Sequence, residues 1–455
     1  MSLRPFTDEA EALTYIFQSF RRVRQHDRGP DERARSTAPT IDLLRRQNLL
    51  GTAREYAVIT GSKGKGSTAA IMAKLLEKIG HTVGLITSPH LVSYRERIRI
   101  NGRAIPSADL IRILNALRPD IDAITARFTG DQYFSPQGIF LAVALRWFTE
   151  RGVNAAVLEV GRGGRYDDIA VVPNKLALFT PILLEHVQQL GPTLERIAWH
   201  KAGIIKRQGW AYSVPQAPEV FRVIQAEADA QDAEFAWIAP IDMADYLGET
   251  PDGARLRLGR YGEVTLGLRG RHQVENATLA VQGAGNMHAR LPGITHGSPA
   301  YVAAIRAGLS AVRWPGRIHK LQSDPAVFVD GATNPVAARS LLESLAADLS
   351  APPITIVATP VDRDYAGVYR VLGAASRRLI LTESDINPGV RFPDKNTAQT
   401  AAREFNADVR YAPSLPAALN EAFAAAAPTD TILLAVAQPL VGEAVQRWGC
   451  DLEVI

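Results

Sequence analysis

The sequence contains very little cysteine and no long apolar segment. Cys450 is the single cysteine among 455 residues, so no internal disulfide can form and we expect a reducing compartment. No apolar run approaches the roughly 20 residues that a membrane-spanning helix needs. The first residues also lack the apolar core of a signal peptide. We therefore expect a cytoplasmic protein with no membrane partner.

A strong excess of one charge is also missing. The sequence has 51 Lys and Arg against 47 Asp and Glu, which gives a formal net charge of +4. In a chain of this length, so small a positive excess does not favour nucleic acid as a partner. It does suit an enzyme with small anionic ligands. The length exceeds that of one ordinary core, so we expect two or three domains.

Short apolar runs alternate with amphipathic segments in two blocks. The runs predict strands at Tyr56–Thr60, Val83–Thr87, Ala155–Val160, Leu176–Thr180, Ala326–Val329, Ile354–Ala358, Arg378–Thr382, Val409–Ala412 and Thr431–Val436. This pattern indicates an α/β fold, with a P-loop-type, mostly parallel sheet domain followed by a smaller Rossmann-like domain. We place the first domain, with an N-terminal helix at Asp8–Arg22, at residues 1–312 and the second at 313–455.

Two further segments carry structural predictions. Pro251–Leu268 alternates apolar and polar residues, which predicts an antiparallel hairpin. The Arg-rich segment that follows the first helix and runs through Pro39 is predicted to be a polar connector.

The stretch "ITGSKGKGSTAA" (Ile59–Ala70) lies between a predicted strand and a predicted helix. Backbone N–H groups at a glycine-rich turn and a helix N-terminus bind phosphate, a lysine reaches the outer phosphates, and a hydroxyl ligates magnesium. The candidate phosphate-binding residues are Gly61, Gly64, Lys65, Gly66, Ser67 and Thr68. The alternative is a glycine turn with solvated lysines, which the strand–loop–helix context disfavours.

Three acidic or imidazole side chains end or follow predicted strands, and one lysine lies in a predicted helix. Glu159 ends an apolar strand, and Glu185–His186 follows another, so both sites face the edge where ligands collect in parallel sheets. A surface or capping glutamate and a structural histidine are the alternatives. Lys201 is predicted to lie in the middle of a helix in apolar "WHKAGII", where a lysine reaching the surface is the simpler interpretation.

The motifs together resemble those of folylpolyglutamate synthases and dihydrofolate synthases, in the Mur ligase superfamily. "ITGSKGKGS", "GLITSPHLVSYRERIRING", "VLEVGRGGRYD", "LLEHVQQLGPTLERIAWHKAGIIK", "LRGRHQVENATLA", "WPGRI" and "VDGATNP" occur in that family's order. The resemblance covers nearly the whole chain. It implies a monomer that uses ATP and magnesium to join a carboxylic acid, through an acyl phosphate, to the amine of L-glutamate.

The resemblance also implies roles for individual residues. Lys65, His186 and Lys201 are expected to be catalytic, with Lys201 carried as a carbamate. The expected ligands of two magnesium ions are Ser67, Glu159, His186 and Lys201, and Asn276, Arg317 and Asp330 are expected at the nucleotide. Ser88, His90 and Arg97 are expected to meet the acid substrate, which would be dihydropteroate or a folylglutamate.

Several positions differ from the family pattern. Lys63 replaces an asparagine in the phosphate loop and adds a positive charge there, Arg162 replaces an apolar residue, and Thr333 replaces a histidine near the nucleotide. These changes leave two alternatives open. One is a related ligase that acts on a non-folate acid in specialised metabolism, and the other is a nucleotide-binding protein that has lost ligase activity.

Overall fold

A computed structural model describes residues 4–23, 29–51, 54–387 and 389–455. Its largest sheet has eight strands in the order β4-β3-β2-β5-β1-β6-β7-β8. The strands are β1 (Glu55–Thr60), β2 (Val83–Ile86), β3 (Ile98–Ile100), β4 (Arg103–Ala104), β5 (Ala155–Glu159), β6 (Leu176–Phe179), β7 (Trp210–Ser213) and β8 (Glu234–Trp237). All pairings are parallel except those of β3, which pairs antiparallel with β2 and β4. The carboxyl ends of the central strands therefore meet at one edge.

Helices cover both faces of this sheet. They are α1 (Glu9–Arg21), α2 (Asp31–Ala34), α3 (Ala38–Arg46), α4 (Lys65–Ile79), α5 (Ser107–Thr125), α6 (Pro136–Glu150), α7 (Val187–Leu190), α8 (Leu194–Ala202), α9 (Pro218–Ala230), α10 (Gln273–His288) and α11 (Pro299–Ala311). Alternate residues of β1 serve the two cores, since Val58 packs with α5 and α6 while Ile59 packs with α4 and α10. Burial on both faces explains why β1 is a continuous apolar run.

A three-stranded antiparallel sheet packs against the α4, α10 and α11 side of the molecule. Its strands are β9 (Asp245–Thr250), β10 (Gly253–Arg257) and β11 (Glu263–Leu266), in the order β11-β10-β9. The predicted hairpin in this segment is therefore confirmed, and it gains a third strand.

The remaining strands form a six-stranded sheet in the order β12-β13-β17-β14-β15-β16. They are β12 (His319–Ser323), β13 (Ala326–Asp330), β14 (Ile354–Ala358), β15 (Arg378–Leu381), β16 (Val409–Tyr411) and β17 (Thr431–Val436). The helices are α12 (Pro335–Leu345), α13 (Tyr365–Ala375), α14 (Lys395–Arg403), α15 (Leu415–Ala425) and α16 (Gln438–Arg447). The predicted α/β fold class is confirmed, and each predicted strand is present within one residue at either end. The division between residues 312 and 313 stays a prediction.

The segment 451–455 returns from the second sheet to the edge of the first. Ala104 donates its N–H to the carbonyl of Glu453 at 2.8 Å, and Ile455 donates to Gly102 at 3.1 Å. Arg99, which is buried, donates to the carbonyls of Leu452 and Glu453. This seam, formed by residues 99–104 and 451–455, joins the two α/β units beside the edge strand β4.

Two local predictions are wrong. The Arg-rich segment is not simply a polar connector, because its described part contains α2 and the start of α3, and Asp31 is buried. Lys201 does not lie in the middle of its helix but one residue before the end of α8, and it is buried rather than reaching the surface. Within the residues that the structure describes, no helix is long and apolar enough to cross a membrane.

Candidate active site

The phosphate loop lies at the carboxyl end of β1 and is held tightly on both sides. Gly61 has a φ of +145°, and a Cβ there would lie 1.8 Å from Oγ1 of Thr180. Gly64 has a φ of +84°, and a Cβ there would lie 2.2 Å from Oδ1 of Asn276. Only glycine combines such backbone angles with this close approach. Packing of the loop against Thr180, which follows β6, and Asn276 of α10 therefore requires glycine at positions 61 and 64.

The loop leads into the first turn of α4. Backbone N–H groups in this turn have no hydrogen-bond partner within the helix and attract anions. Lys65, Gly66, Ser67 and Thr68 form this turn. The Lys65 ammonium donates to the carbonyl of Gly61 at 3.1 Å, so the side chain folds back over the loop. The arrangement concentrates positive charge where the sequence predicts the phosphates of ATP.

Glu159 ends β5 beside the phosphate loop, because its Cα is paired with that of Ile59 in the sheet register. Its Oε2 accepts the N–H of Ser88 at 2.9 Å and lies 3.5 Å from the position that a Cβ on Gly66 would take. Burial raises the pKa of this carboxyl group, and the nearby Lys65 ammonium opposes the rise. A buried carboxylate next to a phosphate site is a suitable ligand for a cation.

Lys201 and Glu185 meet under the loop. The Lys201 ammonium donates to the Gly61 carbonyl at 2.8 Å and to Glu185 Oε1 at 3.3 Å. Burial lowers the pKa of Lys201 to about 8, and the Lys65 charge contributes to that fall. Burial acts to raise the pKa of Glu185, but Lys201 and Lys65 outweigh it and the pKa is lowered. The Gly61 carbonyl thus accepts hydrogen bonds from both Lys65 and Lys201.

His186 follows directly, with a φ of +50° at the start of the short helix α7. Its pKa is lowered by burial, which Glu185 opposes, and by the positive charges of Arg162, Lys201 and Arg363. The imidazole is therefore neutral near pH 7 and can offer a lone pair to a metal ion.

The expected substrate residues lie in a loop that is attached to Glu159. Ser88 donates its backbone N–H to Glu159, as above, while Arg97 Nε donates to Nδ1 of His90 at 3.0 Å. Burial and the Arg97 charge lower the pKa of His90 to about 4. The carbonyl of His90 accepts from the Gln438 side chain, so helix α16 also touches this loop.

Of the three residues expected at the nucleotide, two lie together. These two are Arg317 and Asp330, whose carboxylate accepts the N–H of Ile318 at 2.9 Å. Burial raises the pKa of Asp330, and the charge of Arg317 opposes that rise. Asn276 instead supports the phosphate loop, since its Oδ1 accepts from Oγ1 of Thr68 at 3.3 Å and faces Gly64. A role for Asn276 in direct nucleotide contact stays a prediction.

The polar groups beside the phosphate loop fit a magnesium ion that depends on bound phosphate. Mg²⁺ usually keeps several waters and takes one or two carboxylates together with phosphate oxygens. Glu159 is a buried carboxylate beside the turn that carries Ser67. In the described part of the chain, no group of three or more His, Cys, Asp and Glu side chains is arranged to hold a metal alone. The four expected magnesium ligands therefore stay a prediction.

Two residues of this site were not singled out from the sequence. Trp314 lies against the phosphate loop, with its Nε1 3.4 Å from where a Cβ on Gly66 would be. Glu96 accepts the N–H groups of Leu91, Val92 and Ser93, and so fixes the shape of the substrate loop. The Ser93–Glu96 spacing is that of a capping box and could have revealed Glu96. The position of Trp314 depends on tertiary packing that has no local signal.

Comparison with known proteins supports the reading of these motifs. Residues 316–437 match the family model described as "Mur ligase, glutamate ligase domain". The chain is 32% identical over 457 residues to the dihydrofolate synthase/folylpolyglutamate synthase of Mycobacterium tuberculosis, covering 93% of this chain and 88% of that protein. It is 31% identical over 322 residues to the Bacillus subtilis protein of the same name, with coverage of 69% and 73%.

Solved structures give the same picture. The M. tuberculosis folylpolyglutamate synthase complexed with ADP has a TM-score of 0.83 at 27% identity, covering 97% of this chain and 99% of that one. A folylpolyglutamate synthase (FPGS) complex with AMPPCP and folate has a TM-score of 0.74 at 26% identity, with the same coverage.

Proposed function

The chain belongs to the folylpolyglutamate synthase and dihydrofolate synthase family of Mur ligases, and we propose that it joins glutamate to dihydropteroate or a folylglutamate through an acyl phosphate. It is an ATP-dependent ligase that attaches glutamate to a folate-type acid. One observation carries the mechanistic proposal. The Gly61 carbonyl accepts from both Lys65 and Lys201, so the lysine expected at the phosphates adjoins the lysine expected to hold the second magnesium ion.

In the first step, a carboxylate oxygen of the folate-type acid attacks the γ-phosphorus of ATP. The bond to the β,γ-bridging oxygen breaks, ADP leaves, and an acyl phosphate forms. The N–H groups that open α4 and the Lys65 ammonium hold the phosphates and offset their charge, which grows more concentrated in the transition state. Ser67, Glu159 and His186 would hold magnesium, and Lys201, as a carbamate, would hold a second ion; bound metal would supply further positive charge at the phosphates.

In the second step, the neutral amine of glutamate attacks the acyl carbon. Phosphate leaves with the bonding electrons, and the nitrogen loses a proton to become an amide. Lys201 takes part as a carbamate in this proposal. Its pKa of about 8 supports that modification, because only a neutral amine reacts with carbon dioxide, and a carbamate replaces a buried cation by an anionic oxygen ligand.

The remaining expectations also belong to this proposal. We place the protein in the cytoplasm, on the ground that a chain with one cysteine suits a reducing compartment. We propose that it acts as a monomer and that two magnesium ions take part.

The test is a turnover assay with purified protein, ATP, magnesium and L-glutamate. Dihydropteroate and a reduced folylmonoglutamate are supplied separately, and phosphate release and product mass are measured, with a control that lacks acid. We expect acid-dependent phosphate release and a mass increase of one glutamyl unit per turnover. Absence of the glutamyl product with both acids would contradict the proposal.

A further inference from the structure

Arg99 is a buried cation whose hydrogen bonds go to backbone carbonyls. The residue is 2% exposed. Its guanidinium donates to the carbonyl of Glu96 at 3.1 Å, of Gly102 at 3.0 Å, of Leu452 at 2.7 Å and of Glu453 at 3.2 Å. Burial lowers the pKa of Arg99 to about 10, so the group stays charged at pH 7. One side chain therefore joins the end of the substrate loop (residues 88–97), the turn before β4 and the C-terminal segment.

A buried cation is not the simplest way to close a seam between two units. Burial of a guanidinium costs free energy that neutral carbonyls offset only in part, and an apolar side chain would fill the same space at a lower cost. A guanidinium instead presents several donors in one rigid plane, which fixes the direction of each partner. Arg99 is therefore suited to holding three chain segments in a defined geometry.

Glu96 connects Arg99 to the rest of the substrate loop. Its carbonyl is one of the four that accept from Arg99. Its carboxylate accepts the N–H groups of Leu91 at 3.0 Å, Val92 at 2.8 Å and Ser93 at 2.6 Å. A displaced Glu96 would release these three N–H groups, and the loop would then open more often.

Helix α16 of the second unit also contacts the loop. The side chain of Gln438 donates to the carbonyl of His90. A Cβ on Gly442 would lie 2.0 Å from the carbonyl oxygen of Leu91, so the helix and the loop meet backbone to backbone. Leu91 also packs, like Leu452, against the core of the second sheet. The second unit thus holds the loop through α16 and through the C-terminal segment.

The loop that is held in this way lies at the candidate site. The N–H of Ser88 binds Glu159, the carboxylate beside the phosphate loop, and His90 and Arg97 are expected to meet the acid. A loop that must be ordered by its ligand binds that ligand more weakly than a loop that is already ordered, because the ordering costs free energy. The affinity for the acid should therefore depend on contacts that the second unit makes.

We propose that Arg99 and Gly442 are positioning residues, through which the second α/β unit holds the substrate loop in the shape that binds the acid. Neither residue touches the reacting atoms. The inference rests on the proposed ligase function, and it adds the reason why an acid site on the first sheet requires the second.

The first test compares Arg99→Lys and Gly442→Ala in steady-state assays of phosphate release, with ATP, acid and glutamate each varied. Lysine keeps the charge but cannot reproduce the planar set of donors, and the alanine methyl group pushes α16 away from the loop. Arg103→Gln is the control for the first variant, because Arg103 is exposed on β4 of the same seam. Gly373→Ala is the control for the second, because a Cβ at this position of α13 would lie 3.3 Å from its nearest neighbour.

We expect KM for the acid to rise roughly tenfold in each positioning variant, since ordering one loop residue on binding costs about that much. KM for ATP and for glutamate should stay within about threefold, and both controls should behave like the unaltered protein. A variant that is only partly folded would instead show a lower kcat and an unchanged KM for every substrate, because fewer molecules would be active. That pattern in both positioning variants would overturn the proposal.

Hydrogen–deuterium exchange followed by mass spectrometry reports on the loop directly and needs no turnover. The three N–H groups that the Glu96 carboxylate binds should exchange about tenfold faster in Arg99→Lys than in the unaltered protein. Peptides from the phosphate loop should exchange at unchanged rates, because Ser62 keeps its hydrogen bonds to Pro181 and Leu183. Unchanged exchange of the three N–H groups would overturn the role of Arg99, even with a raised KM for the acid.

The positioning role and the proposed function fail in different ways. Failure of the unaltered protein to form a glutamyl product with either acid would overturn the proposed function. Formation of that product by the unaltered protein, with an unchanged KM for the acid in both Arg99→Lys and Gly442→Ala, would overturn the positioning role alone.

Discussion

Two groups of charged residues differ in how their charges are compensated. The first is a buried ion network of Asp31, Arg35, Arg162, Asp167 and Asp168. Arg35 lies 3.4 Å from Asp167, 3.7 Å from Asp31 and 3.8 Å from Asp168, and these carboxylates are at most 2% exposed. The second comprises Lys63, Lys65, Arg317 and Arg363, here called the cleft cations; among the described residues, Arg363 alone of the four has a carboxylate within 4.0 Å, the exposed Asp362.

The buried network and the cleft cations differ in the source of their compensating charge. Burial acts to lower the pKa of Arg35, but the three carboxylates outweigh it and raise the pKa. The network therefore takes most of its compensating charge from the chain itself, two guanidinium groups for three carboxylates, before any ligand arrives. The cleft cations repel one another in the free protein, and their compensation is expected to come with phosphate and carboxylate groups of the substrates.

The largest expected effect on folding is that of Arg35→Met. The change leaves buried carboxylates without their central cation, which should lower the free energy of unfolding by about 3–5 kcal/mol. Urea denaturation followed by circular dichroism measures the effect as a lower transition midpoint.

Arg46→Met is the matched control for that variant. Arg46 pairs with Asp42 at 3.0 Å and with Asp120 at 3.3 Å, and all three side chains are about one-third exposed, so its removal should lower the free energy of unfolding far less than Arg35→Met. Equal losses in the two variants would show that burial of the network does not distinguish it from a surface pair.

Removing a cleft cation should act on turnover and not on folding. Lys65→Ala removes a donor to the phosphates, and we expect kcat to fall by about 10²- to 10³-fold, as when one donor to a developing anion is deleted. The free energy of unfolding should change little, because the repulsion from Lys201 that is lost is offset by the lost hydrogen bond to Gly61 and the lost attraction to Glu159. A fall in stability comparable to that of Arg35→Met, measured by the same urea titration, would contradict the contrast between the two groups.

The sequence predicted the sheets well because their signal is local. Strand β1 is an apolar run because both of its faces are buried. Helix α4 begins after Gly64 and ends at Gly80, whose left-handed backbone angle is typical of a helix C-terminus. The Arg-rich segment was misjudged because its composition resembles that of a solvated connector. Arg35 and Asp31 become structural only through Asp167 and Asp168, more than 130 residues later in the chain.

The candidate site was predictable to the extent that its motifs sit at strand ends. Lys65, Glu159 and His186 were found in this way, since parallel strands deliver their carboxyl ends to one edge. Trp314 and Arg363 could not be found from spacing, because their place at the cleft is set by how the second sheet meets the first. The burial of Lys201 likewise follows from α8 packing beneath the phosphate loop.

A smaller effect is expected from bicarbonate and pH at Lys201. The folded pKa of about 8 lies below the ordinary value of 10.5, so the neutral amine becomes more abundant as pH rises through 8. The unfolded chain keeps its proton up to higher pH, so the penalty of the buried ammonium is present below pH 8 and fades between 8 and 10.5. We expect carbamate formation, and with it activity, to increase up to about tenfold between pH 7 and 8.5.

Carbon-13 NMR with labelled bicarbonate detects that carbamate directly. Lys201→Gln should lose both the signal and the response of activity to bicarbonate. Lys206→Gln is the control, because burial also lowers the pKa of Lys206 although it lies outside the site. If the signal persists in Lys201→Gln and disappears in Lys206→Gln, the carbamate forms on Lys206 and our assignment to Lys201 is wrong.

Within the buried network, the smaller effect is expected at Arg162, which lies on the loop after Glu159. Its guanidinium binds Asp31 through Nε at 3.2 Å, but the side chain is 34% exposed. Arg162→Leu removes both of its hydrogen bonds to buried Asp31 and should cost about 1–3 kcal/mol, less than Arg35→Met, since Arg35 stays 3.7 Å from Asp31. In a double-mutant cycle, the losses of Arg162→Leu and Arg35→Met should not add, because both changes remove a cation from the Asp31 carboxylate. If Arg162→Leu costs as much as Arg35→Met, neutralisation of Asp31 alone, and not of the three carboxylates together, would hold the network in place.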